Sequence, residues 1–285
     1  MKRLLSLAAA GLMCGATVVG ASGVAGASSV HSHGTPMHVG HMTVQPGGLI
    51  NRVSGFGSSS PTVSENWSGY GALGAKKYNY VHATFVQPAV TCPGIKNQYT
   101  SNWVGIDGYR DQTVEQDGTF AFCGGATGTT PRYVAWYEMF PGPSALVYAV
   151  HPGDIMDVSV TYANGAFTMA ETDLTSGKHF SVTATNASAQ RSSAEWVIER
   201  PELCNASGKC FLAELANYKT TMMSGATASV DGGPVKNVGG FPNSPIFMVD
   251  PLHRGFISLD TVGPLSGPSF TATWDRHGNT LPLSG

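Results

Sequence analysis

The first candidate for chemistry is a stretch that combines an indole, a carboxyl and an amide. Residues 102–118 predict two short strands joined by a polar turn that begins at Asp107. Because side chains alternate along a strand, Trp103 and Asp107 share one face, and Gln116 follows on the second strand. A core hairpin with Trp103 at its edge and a turn-forming Asp107 is the simpler interpretation of these residues alone.

Two later segments carry carboxyls on one face of a predicted strand. Trp136 and Glu138 point to the same side of the first, and Glu195 and Glu199 to the same side of the second. Carboxyls serve as general acids or bases, and an uncharged amide can donate to a developing oxyanion. If these faces line one concave sheet with Gln116, they form a groove typical of a substrate site. The alternative is that the acids and Gln116 are solvated strand residues.

The elements that would position these side chains are strands. Short β-branched and aromatic runs recur from residue 63 onward, separated by Gly, Asn and Pro turns. They comprise 80–86, 133–140, 157–162, 167–173, 178–184, 194–198 and 269–274. Only 211–216 resembles a turn of helix. Roughly 220 residues of closely spaced strands predict an all-β fold, a single large antiparallel β-sandwich of two packed, curved, concanavalin-like sheets with the groove on the concave sheet.

The N-terminal part predicts an exported protein. Residues 1–27 have the charged start, apolar run and small-residue end of a signal peptide. Glycines interrupt the apolar run, which barely reaches spanning length, so a membrane anchor is disfavoured. Residues 28–62 contain little that could pack and predict a propeptide or disordered leader, followed by one sandwich domain at 63–285. We expect a secreted, extracellular product.

The predicted leader contains four histidines: His31, His33, His38 and His41. Imidazoles become charged near pH 6, which favours a pH-responsive leader. A metal site and a solvated tail without a role are the alternatives, and we assign no metal site because no acid or cysteine accompanies the histidines.

Charge and composition exclude some partners. The formal net charge is −2 and becomes −4 once Lys2 and Arg3 leave with the signal peptide. Charged residues make up 12% of the chain, against about 25% in typical globular proteins. A surface of hydroxyl and amide groups keeps its character when carboxyls are protonated, which suits an acidic medium. The sequence shows no basic patch for nucleic acid and no later membrane span, and we expect a monomer.

Cysteine usage agrees with export. The cysteines that remain after signal removal are Cys92, Cys123, Cys204 and Cys210. An even number outside the cell predicts two disulfides, with three possible pairings. A zinc site is disfavoured because the sequence has no Cys-x-x-Cys.

Four ordered blocks resemble the glutamic peptidase (eqolisin) family, of the bacterial type. They are W-V-G-I-D-G at 103–108 with a later Gln, N-W-S-G at 66–69, A-W-Y-E at 135–138 and A-E-W-V-I-E at 194–199. Together they span nearly half of the chain. The resemblance implies an acid endopeptidase that cleaves polypeptides without a cofactor and is insensitive to pepstatin.

The resemblance also assigns roles. It selects Glu199 over Glu195 as the general base and acid that activates water, and Gln116 as the oxyanion donor. The groove residues that support this pair and the substrate are Trp67, Trp103, Asp107, Trp136 and Glu138. Because the family often has a bridged loop after the strand that carries the catalytic glutamate, we expect Cys204 to pair with Cys210 and Cys92 with Cys123.

Two positions depart from the fungal pattern of the family. Arg200 follows Glu199, and Asp117 follows Gln116. A nearby cation would favour the ionised glutamate and a nearby anion would oppose it, so the pH optimum is open.

Two other functions fit part of the sequence. A lectin-like sandwich could bind or hydrolyse polysaccharide, with Glu138 and Glu199 as the carboxyl pair and tryptophans as sugar platforms. This alternative gives Gln116 no role. A secreted binding module without activity is the second alternative, and the motifs of serine, cysteine, metallo and aspartic peptidases are missing from the sequence.

Overall fold

Strands make up nearly all of the regular structure. The structure is a computed structural model that describes residues 37–39, 42–45, 52–55, 61–74, 77–252, 255–279 and 281–282. The first strands are β1 (Met37–Val39), β2 (Met42–Gln45), β3 (Arg52–Gly55), β4 (Thr62–Ser64), β5 (Trp67–Leu73), β6 (Tyr78–Val86), β7 (Gln98–Asp107), β8 (Val114–Gly124), β9 (Thr130–Phe140), β10 (Ala145–Ala149), β11 (Ile155–Ala163) and β12 (Ala166–Asp173). The remainder are β13 (His179–Ala184), β14 (Ser193–Glu199), β15 (Glu202–Cys204), β16 (Cys210–Leu212), β17 (Glu214–Leu215), β18 (Thr220–Val230), β19 (Lys236–Asn237), β20 (Asn243–Leu252), β21 (Gly255–Ser258), β22 (Asp260–Val262), β23 (Phe270–Trp274) and β24 (Leu281–Pro282).

The strands form three sheets. An eleven-stranded sheet, here the site sheet, has the order β10-β9-β8-β7-β14-β5-β20-β4-β3, with β17 beside β7 and β21 beside β20. An eight-stranded second sheet has the order β13-β12-β11-β6-β18-β23-β22, with β19 beside β18. A small sheet has the order β1-β2-β15-β16-β24. Most pairs are antiparallel; β4 with β20 and β17 with β7 are parallel.

The main core lies between the site sheet and the second sheet. Alternate apolar residues of β7, such as Val104 and Ile106, belong to one buried cluster with Val81 and Val158 of the second sheet. The indole of Trp196 also crosses this layer and donates to the carbonyl of His82 at 2.8 Å. Two packed antiparallel sheets confirm the predicted β-sandwich.

The other face of the site sheet carries a second apolar cluster. It contains Trp67, Trp103 and Trp136, together with Leu203 of β15. The site sheet is therefore buried on both faces, and the β15–β16 hairpin packs against the face that carries the tryptophans.

The structure differs from the sequence analysis in two segments. Three strands, β1 to β3, lie within 28–62, where a propeptide or disordered leader with little to pack is predicted. β2 pairs through its main chain with β15, so its ordering does not require an apolar side-chain pattern. The helical turn predicted at 211–216 is also wrong, because the segment holds most of β16 and all of β17. The predicted signal peptide lies outside the described residues, as do His31, His33 and His41.

Both disulfides form as predicted. Cys92 is bonded to Cys123 and Cys204 to Cys210. The second bond joins the paired ends of β15 and β16 and closes the hairpin that lies over the tryptophan face. Within the described residues, no helix is long and apolar enough to cross a membrane.

Candidate active site

Strand register brings the predicted site residues to one face of the site sheet. Gln116 lies opposite Gly105 on one side and Glu138 on the other. Gly105 in turn lies opposite Glu195, and Glu199 lies opposite Trp67. Residues directly opposite each other point to the same side of a sheet. β5, β14, β7, β8 and β9 therefore present one continuous face that carries the predicted groove residues.

Glu199 is held by three neutral N–H donors. Trp103 Nε1 donates to its Oε2 at 2.8 Å, and Trp67 Nε1 and Asn66 Nδ2 donate to its Oε1 at 3.2 and 3.4 Å. The side chain is buried. Burial, followed by the nearby Glu138 carboxyl, raises the pKa of Glu199 well above its usual value, while the three donors lower it. The donors orient both carboxyl oxygens.

Gln116 is restrained by Glu138. The Gln116 Nε2 donates to Glu138 Oε2 at 2.9 Å, and both side chains are buried. Within the described part of the chain, Gln116 Oε1 and Glu138 Oε1 have no hydrogen-bond partner. Burial raises the pKa of Glu138 well above normal, and the hydrogen bond from Gln116 opposes the shift. One N–H of the Gln116 amide is thus committed to Glu138, and the second remains available for a ligand.

The indole of Trp103 connects the two polar pairs. Its Nε1 contacts Glu199, while its Cζ3 lies 2.9 Å from the position that a Cβ on Gly105 would occupy. Gly105 is the residue opposite Gln116. A side chain at 105 would displace this ring, so the glycine is required for the close approach. Glu199 and Gln116 lie on either side of one indole, and no hydrogen bond between them is found in the described residues.

Trp136 has a fixed orientation as well. Its Nε1 donates to the Ser101 hydroxyl at 3.1 Å, and that hydroxyl donates to the Thr119 carbonyl at 3.0 Å. Ser101 lies opposite Glu199 in the sheet. The side chains of Trp136, Ser101 and Thr119 are all buried. The hydrogen-bonded Trp136 and Ser101 therefore form a fixed side of the site next to Glu199.

Asp107 anchors a loop. Its carboxyl accepts the backbone N–H groups of residues 190, 191 and 192 at 2.8, 2.6 and 2.6 Å. It has a left-handed backbone conformation with φ of 74°. Burial, followed by its hydrogen bond with Asp111, raises the pKa of Asp107 to about 6. These contacts hold the connection into β14 and involve neither Gln116 nor Glu199, so they fit the turn-forming interpretation better than a direct contact with the groove.

The two residues that depart from the fungal pattern point away from Gln116 and Glu199. The buried Arg200 forms an ion pair with Asp250 at 2.9 Å and donates to the Glu65 carbonyl. Asp117 faces the main core, where burial and the nearby Glu171 raise its pKa well above normal. Neither residue is among the causes of the Glu199 pKa shift.

The site is closed. Trp67, Trp103, Gln116 and Glu138 are 0% exposed, and Glu199 is 1% exposed. Hence the interpretation of Gln116, Glu138 and Glu199 as solvated strand residues is wrong. The β15–β16 hairpin lies on this face, and β15 also pairs with β2, which lies in the predicted leader. A polypeptide could contact these side chains only after the residues that cover them move.

Sequence reasoning did not assign a role to three residues near Glu199. Asn66 belongs to the N-W-S-G block, and no sequence pattern singles out Ser64 or Ser101. The sequence signal for Asn66 was its position as a polar residue directly before Trp67. Ser64 and Ser101 offer no signal, because buried serines on strands are common and their partners are distant in sequence.

Potential metal ligands come together at one place in the described residues. Polar atoms of Glu202, Cys204 and Cys210 lie within 4.8 Å of one another. The two cysteines are joined in a disulfide, so they cannot act as thiolate ligands.

Comparisons with known proteins agree with the geometry. The model of the peptidase A4 family matches residues 65–244. The chain therefore belongs to this family, the eqolisins, and is a glutamic-type endopeptidase. No match was found among curated proteins.

Solved structures show the same fold. Scytalido-glutamic peptidase with a peptide-based transition-state analog has a TM-score of 0.63 and 23% identity, covering 74% of this chain and 98% of the other. SCP-B, an eqolisin in complex with the tripeptide Ala-Ile-His, has a TM-score of 0.60 and 22% identity with the same coverage. Aspergilloglutamic peptidase from Aspergillus niger has a TM-score of 0.50 and 23% identity, covering 62% of this chain and 99% of the other.

Proposed function

We propose that the protein is an exported acid endopeptidase in which Glu199 and Gln116 form the catalytic pair. Glu199 takes a proton from the water that attacks the scissile carbonyl, and returns it to the leaving amine. The uncommitted N–H of Gln116 stabilises the oxyanion of the tetrahedral intermediate, a contribution of about 3 kcal/mol in comparable sites. The observation that carries the proposal is the shared sheet face, on which three donors orient Glu199 and Glu138 orients Gln116.

Solved relatives support polypeptides as substrates. Scytalido-glutamic peptidase was crystallised with a peptide-based analog and SCP-B with a tripeptide. The polysaccharide alternative would need free indole faces beside the acids. Here Trp67 and Trp103 are buried and donate to Glu199, and Gln116 has a defined partner.

In the closed site, burial opposes ionisation of the proposed base. Burial is the largest cause of the raised Glu199 pKa. A general base must be ionised, so the closed form is unsuited to catalysis. Opening the groove to water removes the burial penalty and leaves the N–H donors, which favour the carboxylate.

We further propose that the leader makes this chain a zymogen that is exported and then processed. The pairing of β2 with β15 supports this proposal, because the leader then adds to the hairpin that covers the site. Separation of β2 from β15 would free the hairpin to move. The four leader histidines remain candidates for a pH response, with only the backbone of His38 among the described residues.

The test is hydrolysis of an unfolded protein from acidic to neutral pH by matched variants. Glu199→Gln and Gln116→Ala should each lower kcat at least about a hundredfold. Glu195→Gln is the control, because Glu195 lies on the same face of β14 and is equally buried. It should retain much of the activity of the unmodified enzyme, which pepstatin, thiol reagents and chelators should leave unchanged.

The outcomes separate the alternatives. Folded Glu199→Gln and Gln116→Ala variants that remain active would refute the proposed pair. An inactive Glu195→Gln beside an active Glu199→Gln would show that the assignment is displaced by four residues along β14. Inhibition by chelators alone would indicate a metallopeptidase.

A further inference from the structure

We propose that Ser64 is a positioning residue for the Glu199 carboxyl. Ser64 ends β4 and is 0% exposed. Its hydroxyl accepts the backbone N–H groups of Asn66 and Trp67 at 3.2 and 3.0 Å and donates to Asn66 Oδ1 at 2.9 Å. Asn66 and Trp67 are two of the three residues that donate to Glu199. The inference deepens the proposed function and depends on Glu199 being the base.

The Ser64 hydroxyl determines which way the Asn66 amide faces. A serine hydroxyl has one donor and two acceptor sites. Two backbone N–H groups fill both acceptor sites, so the hydroxyl can only donate to Asn66. The amide oxygen must therefore face Ser64, which leaves the amide NH2 directed at Glu199 Oε1. The contact with Glu199 requires the same orientation, because an ionised carboxylate can only accept hydrogen bonds and therefore needs the NH2 group of Asn66.

The same hydroxyl controls the start of β5. By holding the Trp67 N–H, it sets the turn from which the Trp67 indole reaches Glu199. The turn is also tied to the end of β14, because Arg200 N donates to the Asn66 carbonyl at 3.0 Å. Ser64 thus acts on the base through two neighbours without touching it.

Ser64→Ala removes this control. The Asn66 amide can then rotate and present its oxygen to Glu199, which would repel the carboxylate. Because the Asn66 hydrogen bond lowers the Glu199 pKa, its loss raises that pKa. In a plot of kcat/KM against pH, the rise on the acidic side, here the acid limb, should move to higher pH. The value of kcat should fall about tenfold, which is the effect of one lost hydrogen bond. KM should change little, since the hydroxyl of Ser64 bonds to Asn66 and Trp67 and to neither Gln116 nor Glu199 within the described residues.

Ser68→Ala is the matched control. Ser68 is equally buried but lies on the opposite face of the sheet, where its hydroxyl donates to Asp260. Both substitutions remove one buried hydroxyl and should lower stability. Only Ser64→Ala should displace the acid limb.

Tryptophan fluorescence gives a reading independent of activity. Protonation of Glu199 alters the surroundings of the Trp67 and Trp103 indoles, so fluorescence should titrate with this carboxyl. The midpoint should rise in Ser64→Ala, stay in Ser68→Ala and disappear in Glu199→Gln.

Each outcome supports or overturns the role of Ser64 as a positioning residue. If Ser64→Ala keeps the acid limb and midpoint of the unmodified enzyme, Ser64 is not a positioning residue. If Ser64→Ala fails to fold, Asn66→Ala must show the same upward shift, and an unshifted limb there overturns the inference. An active Glu199→Gln would instead refute the proposed function, which keeps the two failures distinct.

Discussion

Trp103 sets the geometry between the two halves of the candidate pair. One edge of its indole donates to Glu199, and the other lies over Gly105, beside Gln116. Because the ring is buried and fixed at both ends, the two polar groups keep a constant relation to each other. A peptide that lies across β14, β7 and β8 would therefore meet Glu199 and Gln116, the proposed base and the proposed oxyanion donor, at opposite edges of the indole.

Variants of Glu138 test which of the two carboxyls, Glu138 or Glu199, ionises first. Burial raises the pKa of both Glu138 and Glu199 well above normal. Glu138 accepts one N–H hydrogen bond and Glu199 accepts three, so we expect Glu199 to ionise before Glu138. Glu138→Gln then replaces a neutral acceptor for Gln116 Nε2 by another, and the acid limb of kcat/KM should stay in place. Glu138→Ala removes the acceptor and should lower kcat about tenfold. A limb that moves to lower pH in Glu138→Gln would show instead that Glu138 carries its charge in the working range.

At the scale of residues, the sequence predicted which face of a strand each side chain occupies better than it predicted how buried that side chain is. Strand alternation correctly grouped Trp103 with Asp107 and Trp136 with Glu138, because side-chain parity is a local property of the backbone. Burial depends on what covers the face, and the cover comes from β15 and β16, distant in sequence. The anchoring role of Asp107 was foreseeable as turn chemistry, whereas the Ser64 hydrogen bonds depend on a turn whose conformation no pattern indicates.

At the scale of elements, β4 links the predicted leader to the face that carries Glu199. β4 pairs with β3 on one side and with β20 on the other, and it ends at Ser64. Thr62, at its start, bonds to the Tyr109 hydroxyl. In the sequence, β4 lies at the predicted boundary of the leader. Its contacts, however, make it part of the folded domain.

The chain boundary of the active enzyme follows from these contacts. The leader is predicted to end at residue 62, and a cut two residues later, after Ser64, would remove the hydroxyl that orients Asn66. Active enzyme should therefore begin at or before Ser64. N-terminal sequencing of the processed form checks this, and a fully active chain that begins at Glu65 or Asn66 would contradict it.

The strand order could not be derived from the sequence. Local patterns predicted β6, β9, β11, β12, β13, β14 and β23 close to their observed bounds, since each has a clear β-branched or aromatic run. The placement of β14 between β5 and β7 brings Glu199 into the site, and the pairing of β14 with β5 joins residues more than a hundred positions apart in sequence. The leader strands were missed because main-chain pairing leaves no apolar signature.

At the scale of the whole molecule, buried carboxyls make folding depend on pH. Burial is the first cause that raises the pKa of Glu115 to about 8, of Asp260 to about 7 and of Asp107 to about 6. The folded state then holds protons that the unfolded chain has released above about pH 4. A native state that binds more protons loses stability as pH rises.

The free energy of unfolding should therefore be highest near pH 4 and fall toward pH 8. Urea unfolding at intervals across this range measures the trend. Glu115→Gln should flatten the part of the slope between about pH 4.5 and 8, because it removes one group that must ionise in a buried position. A stability that rises from pH 4 to 8, or an unchanged slope in Glu115→Gln, would contradict the assignment.

The pairing of β2 with β15 has a consequence for self-association. In the small sheet, loss of β1 and β2 turns β15 into an edge strand whose main-chain groups lack partners. Exposed edges are templates for pairing with other chains, and proteins limit this hazard by keeping edge strands short. β15 has three residues and is bonded through Cys204 to the neighbouring strand. The edge that processing would uncover is thus too short and too constrained to nucleate aggregation.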